Sequence, residues 1–301
     1  MDVSIIIVNY NTCDLTSQCL ASVYENTKDV SFEIIVVDNN SSDNSVQYIK
    51  DRFSQIIFIE NDSNYGFGRA NNKGIEIAKG RNILFLNSDT KLLNNAVKIL
   101  SDYLDRNILV GICGGNLFDE EMKPAHSYRM ILPSIQWEMG LFFGNGLNKI
   151  VCRKNRIFNY TGKPREVAYI TGADLMIKRN VLDSVGYFSS AFFMYYEETD
   201  LCCRVHHKGY KIRSLPDAKI QHLEGKSFHN KMSYGKLLVQ NESRLLYYRY
   251  HHKKSYIKIV NILYLWLNLS RIIFYNRKSW KYELWKRNLR VFRLSLRKSY
   301  M

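Results

Sequence analysis

Three runs, Val3-Ser4-Ile5-Ile6-Ile7-Val8, Phe32-Glu33-Ile34-Ile35-Val36-Val37 and Ile83-Leu84-Phe85-Leu86, are apolar, rich in β-branched residues, and end abruptly in polar ones. Continuous apolar character without alternation is the pattern of a strand buried on both faces, which occurs chiefly in parallel sheets covered by helices. Helical spacing separates the runs: Leu15, Cys19 and Val23 lie on one face of a helix from about Asp14 to Asn26, and a second helix is expected from Phe67 to Lys79. A weaker strand from Gln55 to Ile59 precedes that second helix. Strands alternating with helices predict an α/β fold with a Rossmann-like, mostly parallel sheet. Ligands of such sheets sit outside the carboxyl ends of the strands, where Tyr10, Asp38 and Asp89 fall.

Farther on, the pattern predicts a helix near Asn94–Leu104 and a short strand over Leu109–Cys113, then a loop-rich, substrate-facing insertion over 114–165. Val167 to Ile177 reads as a strand bent at Gly172, and the acids of Glu197-Glu198-Thr199-Asp200 suit the first turn of a helix, where the macrodipole favours negative charge. A segment ending at Gly225 closes the body.

Asn64 to Asn72 holds two glycines just before a helix N-terminus, an arrangement that lets backbone approach an anionic ligand. Gly66-x-Gly68 followed by Asp89 has some likeness to a dinucleotide fingerprint, but the third glycine position is Asn71 and polar residues separate Gly66 from its strand. A nicotinamide cofactor is therefore not expected.

Acids at several segment ends of one sheet repel one another unless a cation joins them. Mg²⁺ or Mn²⁺ held by Asp89 would remove that repulsion and bind a diphosphate. Glu197 or Glu198 could then deprotonate an acceptor hydroxyl. Each residue also has a purely structural reading: Asp38 or Asp43 as helix caps, the Glu197–Asp200 acids as ordinary first-turn residues, His222 as a buried structural histidine, Tyr10 as packing.

Six segments in order resemble family 2 glycosyltransferases of the GT-A fold, in the bacterial branch of rhamnosyltransferases and galactofuranosyltransferases. They are Ser4–Asn11, Val37–Asp43, Asn64–Asn72, Leu86–Asp89, Thr171–Ala173 and Tyr196–Leu201. The resemblance covers about residues 3 to 228. It implies a catalytic domain over 1–228, with a nucleotide-sugar-binding half at 1–105 and an acceptor and base half at 106–228. It further implies that Tyr10 and Asp38 hold the nucleotide base, with Val8 and Asn40 also binding the donor, that Asn64, Gly66 and Asn71 line the ribose and diphosphate, and that Asn87-Ser88-Asp89 stands in place of an Asp-x-Asp motif. Asp89 is then the direct metal ligand. His222, followed by Gly225 and Ser227, matches a His-x-x-Gly-x-Ser motif whose histidine completes the metal shell. Gly172, Ala173, Asp174 and Asp200 fall on the acceptor side, and Glu198 matches the catalytic base with Glu197 beside it. The implied reaction is an inverting transfer from a nucleotide-diphosphate sugar, dTDP-L-rhamnose as first choice, to a saccharide acceptor carried on a polyprenol, in bacterial surface polysaccharide or O-antigen synthesis.

Charge separates the possible partners. The chain carries +15, and from His251 to Met301 thirteen Lys or Arg face one acid, Glu283, so the excess lies in the tail. Over Tyr256–Tyr275 the tail is apolar, with Lys258, Asn261, Asn268 and Arg271 on one helical stripe. Cations and amides are costly at the bilayer centre, so a helix lying in the cytoplasmic interface fits better than a span. Trp280, Tyr282, Trp285 and Phe292 among basic residues suit anionic headgroups. The tail, 229–301, is thus read as a basic aromatic membrane-associating helical segment; packing of its apolar helix on the body is the other reading. A nucleotide-binding body without activity, with a tail gripping nucleic acid, is the alternative from another class; acidic strand ends argue against it, because carboxylates repel phosphate. Six cysteines without Cys-x-x-Cys spacing, and an N-terminus that enters a strand directly, predict a reduced, cytoplasmic protein on the inner face of the membrane.

Overall fold

The computed structural model describes residues 1–142, 157–223 and 234–298. Gly225, Ser227, Cys152 and the boundary expected at 228 lie outside the described residues. The chain divides into two compact units, one of Met1–Met130, Lys154–Ser190 and Glu197–His229, the other of Ile131–Arg153, Ala191–Tyr196 and Asn230–Met301. The second unit therefore takes in, besides the tail, two segments that the sequence reading assigns to the 106–228 half.

In the first unit β1 (Val3–Asn9), β2 (Phe32–Asp38), β3 (Ile57–Glu60) and β4 (Asn82–Asn87) form a parallel core in the order β3-β2-β1-β4. Val3, Ile5, Ile6 and Ile7 are fully buried because helices cover both faces. The covering helices are Cys13–Asn26, Ser45–Arg52, Phe67–Ile77 and Ala96–Arg106. Gly74 sits where a Cβ would come within 2.6 Å of the Ile6 side chain, so its absence lets the Phe67–Ile77 helix lie close on β1.

The other strands are β5 (Thr90–Leu92), β6 (Val110–Phe118), β7 (Tyr128–Arg129), β8 (Arg165–Glu166), β9 (Tyr169–Ile170), β10 (Asp174–Lys178) and β11 (Lys211–His222). The sheet continues from β4 as β10-β6-β11-β5, with β8 on β11. The strand expected over Val167–Ile177 is two strands: β9 pairs β7 in a separate ribbon and β10 enters the main sheet, the break falling at Thr171–Ala173. Having no crossover helix, the chain turns from β9 into β10 and runs antiparallel to β4 and β6. The strand expected over Leu109–Cys113 extends to Phe118 and pairs with β11 in parallel. Antiparallel pairing of β5 with β11 sets His222 opposite Thr90, one residue beyond Asp89.

The second unit contains the helices Ile135–Phe142, Tyr234–His251, Lys254–Phe274 and Trp280–Lys298. Within it Phe192, Tyr247, Tyr248 and Phe292 are buried around an ion pair, Arg244 to Glu138 at 2.8 Å. The Tyr248 hydroxyl donates to the same carboxylate at 2.9 Å, and the Arg244 guanidinium lies 4.0 Å from the Tyr264 ring centre.

Candidate active site

All the site residues expected from the sequence belong to the first unit. At the end of β1, Asn9 is buried and organises the neighbouring loop: its Nδ2 donates to Asp38 Oδ1 at 2.6 Å, while its Oδ1 accepts from the Thr12 and Thr16 hydroxyls at 2.9 and 2.6 Å. Asp38 also accepts from the Ser41 amide at 2.8 Å and the Ser41 hydroxyl at 2.6 Å. These bonds fix the carboxylate at the strand end. Val8 is half-buried, Tyr10 is 46% exposed beside it, and Asn40 has φ of 63°, a left-handed conformation that asparagine tolerates. Asp43, at the next helix start, accepts from the Ser45 amide at 3.1 Å, the capping role it was expected to share.

Gly66 precedes the Phe67–Ile77 helix with φ of 81°, where a side chain would be strained. The Asn64 side chain accepts its amide at 2.9 Å, and Asn39 donates to its carbonyl at 3.2 Å, so the turn is held from both ends. Asn71, expected to reach the donor, is buried, with Nδ2 donating to the Phe67 carbonyl one turn back at 3.0 Å and Oδ1 without a hydrogen bond among the described residues.

Asn87-Ser88-Asp89 leaves β4 with the Asn87 amide bonded to the Ala173 carbonyl at 3.0 Å and the Ser88 hydroxyl accepting from Thr12 at 3.2 Å. His222 Nε2 lies 3.2 Å from Asp89 Oδ1 and 3.5 Å from Asn87 Nδ2. The Leu223 amide donates to the Asp89 carbonyl at 2.9 Å, locking the two segments together. A carboxylate oxygen and an imidazole nitrogen this close suit one Mn²⁺ or Mg²⁺, so the donor set fits a divalent cation.

Glu197 and Glu198 begin the Glu197–His207 helix. Glu197 is buried, with its Cβ 3.6 Å from where a Gly68 Cβ would stand. Burial first, then Glu198, holds its carboxyl well above the usual range, and burial raises Glu198 as well. Glu198 is the more open of the two, takes a 3.0 Å hydrogen bond from the Thr199 hydroxyl, and has Gly172 beside its Cβ, where a side chain would fill the approach. Ala173 is buried, its carbonyl accepting from the Asn87 amide at the end of β4.

Two residues expected on the acceptor side are buried. Asp174 is fully buried, and its Oδ2 accepts from the Gly115 amide at 2.5 Å, with Oδ1 lacking a hydrogen bond among the described residues; burial pushes its pKa up to about 7. It lies inside the sheet because β10 turns this side of the strand toward β6. Asp200 is buried and paired with Arg204 at 2.9 Å, whose guanidinium donates to the carbonyls of Val185, Gly186 and Tyr187. One helical turn brings acid and base together, and through Arg204 Asp200 is tied to the loop before the Ala191–Tyr196 segment.

Three residues were not foreseen. His126, in the insertion, has its pKa pushed down to about 3 by burial and by Arg129 and His222, and among the described residues its Nε2 has no hydrogen-bond partner. Arg129 stands opposite Tyr169 across the β7–β9 ribbon and donates to it. Burial and then Glu198 raise the Tyr169 hydroxyl pKa. The sequence signal was available only as the cluster His126-Ser127-Tyr128-Arg129 within the insertion.

The fold and site define a sheet enzyme of the nucleotide-sugar class, and the comparisons agree. The family model "Glycosyl transferase family 2" matches residues 4–186, and the chain belongs to that family. It is 28% identical over 215 residues to the low-salt glycan biosynthesis hexosyltransferase Agl10 of Haloferax volcanii, covering 70% of this chain and 64% of that one. It is 27% identical to the rhamnosyltransferase WbbL of Escherichia coli, covering 76% and 87%. An N-acetylglucosaminyl-diphospho-decaprenol L-rhamnosyltransferase of Mycobacterium tuberculosis is 24% identical over 74% of this chain and 73% of its own. Among solved structures, GalNAc-T7 with UDP, GalNAc and Mn²⁺ aligns at a TM-score of 0.62, 15% identity, over 99% of this chain and 56% of that one. The mannosyltransferase PcManGT of Pyrobaculum calidifontis with GDP-Man and Mn²⁺ aligns at 0.58, 13% identity, over 98% and 86%. These likenesses establish the GT-A fold.

Proposed function

We propose that the protein is an inverting glycosyltransferase that moves a sugar, L-rhamnose from dTDP-rhamnose in the first instance, onto a saccharide carried by a polyprenol diphosphate. The observation that carries the reading is the meeting of Asp89 and His222 at 3.2 Å, just beyond the end of β4, in the same sheet as β2, which ends at Asp38, and β3, which leads to the Gly66 turn. Rhamnosyltransferases among the relatives, one of them named for a decaprenol-linked substrate, support the choice of donor and acceptor. The basic tail would keep the enzyme on the inner face of the cell membrane, where such an acceptor is presented, in surface polysaccharide or O-antigen synthesis.

Asp38, with Val8, Tyr10 and Asn40, receives the nucleotide base; the Asn64–Gly66 turn and the following helix N-terminus receive the diphosphate. Asp89 and His222 would hold Mg²⁺ or Mn²⁺, which neutralises the diphosphate and stabilises it as a leaving group. Glu198 takes the proton from the acceptor hydroxyl as its oxygen attacks the anomeric carbon, and the bond from that carbon to the diphosphate oxygen breaks, its electron pair leaving with the nucleoside diphosphate. Gly172 leaves room for the acceptor beside Glu198. One base and one displacement suffice, and inversion follows.

Thermal-shift measurements with dTDP-rhamnose, UDP-hexoses and GDP-sugars in Mn²⁺, followed by transfer assays on a polyprenol-diphosphate sugar, test the assignment. Only a ligand of the folded state raises the midpoint. A shift with GDP-mannose and none with thymidine or uridine nucleotides would overturn it.

A further inference from the structure

The Lys254–Phe274 helix has its amphipathic sides the reverse way round for a water-facing element. Asn268 is fully buried, and its Nδ2 donates to the Tyr264 carbonyl at 2.7 Å. Arg271 donates to the Leu141 carbonyl at 3.2 Å, and the Asn261 Oδ1 is enclosed as well. The Tyr256 hydroxyl accepts from the Ile135 amide at 2.8 Å, and Tyr264 meets Phe292 edge-on at 5.0 Å. The Asn261, Asn268 and Arg271 side of the helix thus faces the rest of the second unit, while Lys258 at its start is exposed. Outward stand Ile259, Ile262, Trp266, Ile273 and Phe274, from 48% to 81% exposed.

In water this arrangement leaves the helix's largest apolar side chains unburied, contrary to the hydrophobic effect. We propose that this face is a bilayer-docking surface, on which the helix lies in the plane of an anionic membrane with Ile259, Ile262, Trp266, Ile273 and Phe274 inserted among the lipids. Charge complementarity selects this occupant. Exposed Lys253, Lys254 and Lys258 lie at one end of the stripe, and Arg277, Lys278 and Lys281 at the other, placed for lipid phosphates as the apolar face descends. Trp280, 72% exposed, adds an aromatic side chain suited to the headgroup level.

By length and composition the helix is also apolar enough to cross a membrane. Its inner side, however, is engaged by the Ile135–Phe142 and Trp280–Lys298 helices, and the latter exposes Arg287, Arg290 and Arg293. A span would bring these charges into hydrocarbon, so the in-plane arrangement is favoured. The inference rests on the membrane association proposed above and identifies the face responsible.

The test uses the full chain and vesicles of phosphatidylglycerol with phosphatidylethanolamine, compared with phosphatidylcholine alone. Wild type should sediment with the anionic vesicles, and brominated lipids should quench a Trp266 signal that is lost in Trp266→Phe. Ile262→Glu with Trp266→Glu should weaken vesicle binding by at least about tenfold, since two large side chains lose their apolar transfer. Both positions are exposed, so the thermal midpoint and its shift with sugar nucleotide and Mn²⁺ should be unchanged. Undiminished vesicle binding by the double variant overturns the proposal. So does loss of a dimer in that variant without loss of vesicle binding, which would make the occupant a second copy, or membrane retention of wild type through alkaline carbonate, which would make the helix a span. Absence of any nucleotide-sugar shift in wild type would instead sink the enzymatic reading and leave the vesicle result standing.

Discussion

His222 Nε2 stands 3.2 Å from Asp89 Oδ1 although the two residues lie far apart in the chain, and antiparallel pairing of β11 with β5 brings them together. With Asn87 neutral, Asp89 lacks the second carboxylate of an Asp-x-Asp motif, and in the proposed metal site the imidazole would take over part of that work. Asp89→Ala should abolish transfer while the protein stays folded. His222→Ala should raise the Mn²⁺ concentration for half-maximal activity by at least about tenfold, the scale seen when a supporting group of a metal site is removed. Transfer undiminished by chelator would contradict both expectations.

The two adjacent glutamates divide by exposure. Glu198 opens beside Gly172 and Tyr169, whereas Glu197 is buried against Gly68. Glu198→Gln should retain donor binding by thermal shift and lower kcat by about 10²–10⁴, the usual contribution of a general base. Because burial raises the Glu198 pKa, the acid limb of the wild-type rate profile should lie above the ordinary glutamate range, with activity gained as pH rises and the carboxyl deprotonates. A greater kcat loss in Glu197→Gln, with its fold intact, would assign the base to the other residue.

The strand ends were legible because β-branched runs buried on both faces leave few alternatives for β1, β2 and β4, and the polar residue after each run must then lie at the sheet's carboxyl edge. The approach of His222 to Asp89 came from family resemblance; nothing in the periodicity joins those segments. Asp174 and Asp200 have surroundings that were not legible, for a common reason. A carboxylate near a motif reveals its charge but not its direction, and here one turns toward the Gly115 amide and the other toward Arg204 one helical turn away. The tail's polar stripe was visible in the sequence, yet periodicity does not tell which side of a helix meets its neighbours. That Asn268 faces inward depends on packing with elements distant in the chain.

Asp174 should make the folded protein sensitive to pH. Its carboxyl rises from 3.8 to about 7 on folding, so the native state binds a proton that the unfolded chain releases at lower pH. The corresponding stability is fully present below about pH 4 and is lost as pH climbs through about 7, at up to about 1.4 kcal/mol per unit. Asp174→Asn keeps an oxygen for the Gly115 amide and cannot ionise. Urea denaturation between pH 4 and 8 should therefore show a flatter profile for the variant, with its greatest relative gain at the alkaline end. Parallel profiles for the two proteins would show that Asp174 does not titrate in this interval.

Arg244 and Glu138 form a buried pair 106 residues apart, with exposures of 4% and 2%, and neither has a local sequence signal. Removing one charge strands the other in a low-dielectric interior, so Arg244→Met or Glu138→Leu alone should cost about 3–5 kcal/mol. The loss of the Arg244 contact with the Tyr264 ring and of the Tyr248 hydroxyl bond to Glu138 would add to each. Replacing both residues together removes the desolvation penalty along with the attraction, and the double variant should be markedly more stable than either single one. A double-mutant cycle in urea measures this directly. Simple addition of the two single losses would show that the pair contributes no coupling and that each residue acts through separate packing.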